Sequence, residues 1–90
     1  MEETLHEIFD AINELKIIPV IAIDSVDAAV PLADALIAGG LPVVEITFRT
    51  AAAADVIAKL KKERPDIMIG AGTVLTVDNL HKALDCGAVF

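Results

Sequence analysis

The feature that most narrows the fold is a repeat. Runs of apolar, largely β-branched residues begin near positions 17, 42, 67 and 88, and a helix-length segment fills each gap between them. The intervals of about 25, 25 and 21 residues leave room for one crossover helix apiece. Parallel strands cannot be joined by a tight turn, so this spacing specifies βα units in a parallel sheet. Such a sheet is either an open doubly wound layer or part of a (β/α)8 barrel. A barrel usually takes ~250 residues, so the 90 here are expected to be only a portion of one. Ala88-Val89-Phe90 reads as the start of a fourth strand with nothing to cover it, as expected of a segment rather than a whole domain.

The expected elements follow from punctuation. Leu5, Ile8, Phe9, Ile12 and Leu15 recur at helical spacing, with Glu2, Glu3 and Glu7 near the start, where the helix dipole favours negative charge; residues 4–15 are expected to form a leader helix. The run IIPVIAI from Ile17 to Ile23 reads as a strand buried on both faces, although Pro19 removes a ladder donor and belongs at an edge or an irregular pairing. Ser25 is expected to cap a helix over 26–38 that contains Pro31 and stops at Gly39-Gly40. A second strand is expected over Pro42 to Phe48, then a helix over 51–63 capped by Thr50, with Lys59, Lys61, Lys62 and Arg64 near its end. Ile67-Met68-Ile69 forms a short third strand in this reading. Gly70-Ala71-Gly72-Thr73 then makes a turn, and Thr76 caps a helix to about Asp85 that stops at Gly87. Residues 1–90 are thus read as a single segment, with βα units from about 17, 42 and 67 and a fourth strand beginning at 88–90.

Composition excludes several classes of function. Seven basic residues against fourteen acidic ones give a net charge of −7, which repels a phosphate backbone. There is no Trp or Tyr on which bases could stack. Nucleic acid is therefore not an expected partner. Asp24, Asp27, Asp34, Glu45 and Asp55 interrupt every apolar run before it reaches the ~18 residues of a membrane span. The acidic start lacks the basic and apolar regions of a signal peptide, and the single Cys86 cannot form an internal disulfide, so a soluble protein in the reducing cytoplasm is expected.

In parallel βα folds, chemistry gathers at the C-terminal ends of the strands. Strand 2 carries Glu45, Thr47 and Arg49 at a spacing of two, which puts them on one face, and strand 3 runs out into Thr73. Glu45, flanked by Val43, Val44 and Ile46, would lose hydration and be raised in pKa unless a partner compensates, which suits a general acid/base. A structural ion pair with Arg49, or with a lysine elsewhere, is the competing reading. Arg49 could instead grip a carboxylate or phosphate with its two-pronged guanidinium, or simply be a solvated strand-end charge. The glycines of Gly70–Thr73 would let backbone amides approach an anion, or would only make a tight turn. His6 and His81 have no metal-ligand spacing around them and read as surface or packing residues; Cys86 reads as a small hydrophobe.

Four stretches carry a family likeness: Ile18-Pro19-Val20-Ile21, Ala38-Gly39-Gly40, Val44-Glu45-Ile46-Thr47-Phe48-Arg49-Thr50 and Ile69-Gly70-Ala71-Gly72-Thr73-Val74-Leu75. In this order the chain resembles the N-terminal half of the 2-keto-3-deoxy-6-phosphogluconate aldolases and the related 4-hydroxy-2-oxoglutarate aldolases. The resemblance implies a class I aldolase on a (β/α)8 barrel, usually a homotrimer, that cleaves a keto-deoxy sugar acid phosphate to pyruvate and glyceraldehyde 3-phosphate. The cleavage passes through a Schiff base and needs no metal or other cofactor. Glu45 matches the family's proton-shuttling carboxylate, Arg49 the residue that holds the pyruvyl carboxylate, and Thr73 the hydroxyl that assists it.

The match is incomplete in one respect. The family's Schiff-base lysine and phosphate-binding glycines belong to the second half of the barrel, and Lys16, Lys59, Lys61, Lys62 and Lys82 all lie away from the expected rim. Some relatives carry a basic residue where this chain has Ala22. Two other readings stand beside the aldolase: a non-catalytic half-barrel that folds by self-association, and an open anion-binding layer built on Gly70–Thr73.

Overall fold

A computed structural model describes residues 2–90. The elements run α1 (Glu2–Leu15), β1 (Val20–Ile21), a 3-10 turn (Val26–Ala28), α2 (Ala29–Ala38), β2 (Val43–Thr47), α3 (Ala53–Glu63), β3 (Met68–Gly72) and α4 (Val77–Cys86). The three strands form one parallel sheet in sequence order, with β2 in the middle. Residues 88–90 run on beside β3, where Val89 N–H donates to Ile69 O at 2.8 Å and Phe90 O accepts from Ala71 N–H at 2.9 Å. The side chains of Glu2 and Glu3, expected to favour the start of α1, lie outside the described residues.

The sheet has two unlike faces because side chains alternate along a strand. Val44 and Ile46 of β2 and Ile69 of β3 point to the helices. There they pack with Ala29 and Ala33 of α2 and with Ala53, Val56, Ile57 and Leu60 of α3, all essentially out of contact with solvent. The other face carries Val20, Glu45, Thr47, Met68, Gly70 and Gly72 in register. Docking of α2 and α3 fixes the strands; on the opposite face Val43 and Thr47 are buried as well, Glu45 is half-buried and Val20 is exposed.

Several boundaries differ from those the sequence suggested, each for a physical reason. The first strand is short and is not buried on both faces: Val20 is 60% exposed. Pro19 is accommodated because β1 lies at the edge, and its carbonyl still accepts from Glu45 N–H at 2.8 Å. Ser25 makes no side-chain cap, and the 3-10 turn delays α2 until Ala29. Pro31 therefore falls in the first turn, where a helix has no use for its missing N–H. Thr50 does not cap α3 either; its hydroxyl donates to Ile23 O at 2.5 Å and ties the exit of β2 to the exit of β1. Thr76 does cap α4, accepting from Asn79 N–H at 3.1 Å, and Gly87 ends that helix in the left-handed region.

Outside the core, Arg64 closes α3 onto α2 through a two-pronged contact with Asp34, at 2.6 and 3.1 Å. The Arg64 hydrogen bond holds the Asp34 carboxyl below its ordinary range, though the pair is too exposed to matter much for stability. No helix among the described residues is long and apolar enough to cross a membrane.

Apolar surface remains on the open face and along the entry to and face of α4, where Leu75 is 82%, Val77 68% and Leu84 59% exposed. Burial of one such side chain is worth about 1.5–3 kcal/mol against a whole-domain margin of about 5–15 kcal/mol. Residues 1–90 expressed alone should therefore sediment as oligomers or aggregates at low micromolar concentration; a compact monomer with a cooperative thermal transition would contradict this.

Candidate active site

Glu45 sits at the centre of β2, on the face away from the helices. Val44 and Ile46, expected to strip it of water, point the opposite way into the core. The carboxylate is accordingly half-buried rather than enclosed. Its side chain leans across to β3 and lies against Gly72: a Cβ on that glycine would overlap Glu45 Oε2 and come within 2.9 Å of Glu45 Cδ. Gly70, one layer deeper, carries the ring of Phe90 in the same way. The two glycines thus form a flat floor on which an acid and an aromatic ring lie.

This changes the reading of the glycine segment. Gly70-Ala71-Gly72 is the second half of β3, not a turn, and the Ala71 amide is engaged with Phe90 O. The Ala71 amide is thus not free to cradle an anion, and the reading of an open anion-binding layer loses that support. The glycines serve by close approach, which a sequence shows only once the register of β2 against β3 is known.

Thr73 follows directly, half-buried, with a φ of 54°. A β-branched residue in the left-handed region is a true outlier, with a cost of about 1–3 kcal/mol. The strain falls one residue from the Glu45 carboxylate, at the C-terminal rim of the sheet. Arg49 lies on the same rim but in the exposed turn after β2, which ends at Thr47, so its direction is not set by strand alternation. Among the described residues, the ion pairs are Lys59–Glu63 and Arg64–Asp34; the Glu45–Arg49 pair that a spacing of four suggests does not form.

Thr47, which the spacing put on the site face without a role, is 3% exposed. Among the described residues its hydroxyl has no hydrogen-bond partner. Of the remaining candidates, Lys82 and His81 are exposed on α4. Partial burial, then the charges of Asp55 and Asp85, push the Cys86 thiol up, which keeps it protonated and agrees with its reading as a small hydrophobe.

Barrel enzymes gather their chemistry at the C-terminal ends of the strands, and here the Glu45 carboxylate leans over Gly72 toward that end, with Thr73 and Arg49 beside it. Comparison with known proteins shows the family of the chain. A family model described as KDPG and KHG aldolase matches residues 8–90, and the chain belongs to that family. It is 51% identical over 90 residues to a 2-dehydro-3-deoxy-phosphogluconate aldolase of Haemophilus influenzae, covering 100% of this chain and 42% of that protein. It is 45% identical over 74 residues to the KHG/KDPG aldolase of Escherichia coli, covering 82% of this chain and 35% of that one. A crystal structure of KDPG aldolase from Legionella pneumophila, with pyruvate captured at low pH as a covalent carbinolamine intermediate, superposes with a TM-score of 0.75 at 46% identity. The superposition covers 79% of this chain and 34% of that one. The α/β fold expected from the repeat, that of part of a (β/α)8 barrel, is borne out by these neighbours. The chain spans well under half the length of the relatives it matches.

Gly72→Ala in the complete protein should displace the Glu45 carboxylate from β3, visibly in a crystal structure. An unmoved carboxylate in the variant would mean that the glycine is not its seat.

Proposed function

We propose that this chain is the N-terminal portion of a class I aldolase that cleaves 2-keto-3-deoxy-6-phosphogluconate to pyruvate and glyceraldehyde 3-phosphate. The observation that carries the reading is the Glu45 carboxylate lying over Gly72 beside the strained Thr73, in a chain of the KDPG and KHG aldolase family. A lysine from beyond residue 90 condenses with the C2 ketone and releases water. The C3–C4 bond then breaks as the C4 hydroxyl gives up its proton, leaving an enamine that regains a proton at C3 before hydrolysis frees pyruvate. Glu45, half-buried on an open face, moves these protons. Arg49 reaches from the mobile-length side chain of the rim turn to hold the substrate carboxylate bidentately, and the Thr73 hydroxyl assists it. No lysine of this chain suits the amine role: Lys16 is exposed between α1 and the start of β1, Lys59, Lys61 and Lys62 lie on α3, and Lys82 is exposed on α4.

The relatives support a metabolic lyase rather than a non-catalytic self-associating half-barrel. The name of the Escherichia coli relative pairs two substrates, and the shorter 4-hydroxy-2-oxoglutarate has the same pyruvyl end for Arg49 and Thr73 to hold. The complete protein is proposed to act as a homotrimer in the cytoplasm, on a keto acid of the Entner–Doudoroff route.

Two measurements test this. Borohydride should trap a pyruvyl adduct on the complete protein and none on residues 1–90 alone; a specific adduct on a lysine of the isolated segment would overturn the assignment of the amine. Glu45→Gln in the complete protein should lower kcat by roughly 10²–10⁴-fold while pyruvate binding stays nearly normal. Normal turnover would leave Glu45 without a catalytic part.

A further inference from the structure

Thr47 carries the inference that goes furthest beyond the roles assigned above. It is the one buried polar side chain in a β2 otherwise sealed by Val43, Val44 and Ile46, and its Oγ1 has no partner among the described residues. A buried hydroxyl without a partner is destabilising, and a valine of the same shape would be expected in its place if packing were its only duty.

Its position in the register gives it a use. Thr47 is directly opposite Gly72 in the parallel ladder, and Gly72 is the residue against which the Glu45 carboxylate lies. Glu45 and Thr47 are two apart on β2 and share a face. The register partner of Thr47 and the seat of the Glu45 carboxylate are therefore the same glycine, and the Thr47 hydroxyl makes no hydrogen bond to Glu45. Each keeps hydrogen-bonding capacity that the other does not use.

We propose that Thr47 is a positioning residue of the aldolase site: its hydroxyl binds the oxygen, of water or of a substrate hydroxyl, that exchanges a proton with Glu45. The proposal rests on the proton-moving role given to Glu45. A threonine can accept from that oxygen or donate to it, so the hydroxyl can follow the proton in either direction without a change of charge. Deletion of the methyl should matter little to this duty, and deletion of the hydroxyl should matter to it directly.

The test uses Thr47→Val and Thr47→Ser in the complete protein, beside Glu45→Gln. Thr47→Val should lower kcat about tenfold with KM within about twofold, at an unchanged or raised Tm, and should shift the acid limb of the kcat–pH profile; Thr47→Ser should restore both. Wild-type kcat and pH profile in Thr47→Val, with Glu45→Gln impaired, would overturn this inference and leave the aldolase reading in place. Equal impairment of Thr47→Ser and Thr47→Val would also overturn it, because the methyl would then be the part that counts. Normal turnover in Glu45→Gln would remove the reading on which it rests.

Discussion

The docking of α2 and α3 onto one face of β2 is the interaction on which the rest depends. Val44 and Ile46 are sealed beneath Ala33, Val56, Ile57 and Leu60, and this fixes the strand's rotation about its own axis. Since side chains alternate, the same rotation decides that Glu45 and Thr47 face the other way. A slip of one residue would send the carboxylate into the apolar layer, with a penalty far larger than any local gain. The core thus selects the site's orientation without contributing an atom to it.

On the open face, what is missing matters as much as what is present. Gly70 and Gly72 lay bare the backbone of β3, so that Phe90 and Glu45 can lie flat against it. Glycine in a strand is unfavourable by about 0.5–1 kcal/mol relative to alanine. Two in alternate positions, both facing the site, are explained by close approach and by nothing in the ladder itself. Thr50 adds a tie of another kind, joining the exits of β1 and β2 through Ile23 O, which steadies the turn that presents Arg49.

Much of this was legible in the residues. The period near 25 was enough for a parallel βα layer, and Thr76 and Gly87 marked the ends of α4 because capping chemistry is local. Thr73 stands out by its strand-end position and Glu45 as a carboxylate among apolar neighbours, and the Glu45 carboxylate leans over Gly72, next to Thr73. The misreadings share a cause. Thr50 and Ser25 are good caps by type, but what each side chain bonds is settled by what tertiary packing puts nearby. Gly70-Ala71-Gly72 looked like a turn because glycine breaks strands locally; its use here is to receive side chains from residues 20 or more positions away, which no local rule can register. Thr47 was visible on the site face, but its lack of a partner is a property of the folded state alone.

Thr73 shows how the floor and the rim are connected. A chain leaving β3 into a left-handed turn would ordinarily place glycine at the positive φ, and one stands immediately before it. Yet the glycine is at Gly72, where flatness is needed under Glu45, and the strain falls on a β-branched residue instead. Exchanging the two would relieve the backbone but set a side chain under the carboxylate and remove the hydroxyl from the rim. The arrangement is stable only because burial of the outer face supplies free energy well beyond the about 1–3 kcal/mol held in that one residue. Strain at Thr73 and the bare backbone at Gly72 are therefore two consequences of one requirement, that a carboxylate and a hydroxyl occupy the same end of the sheet.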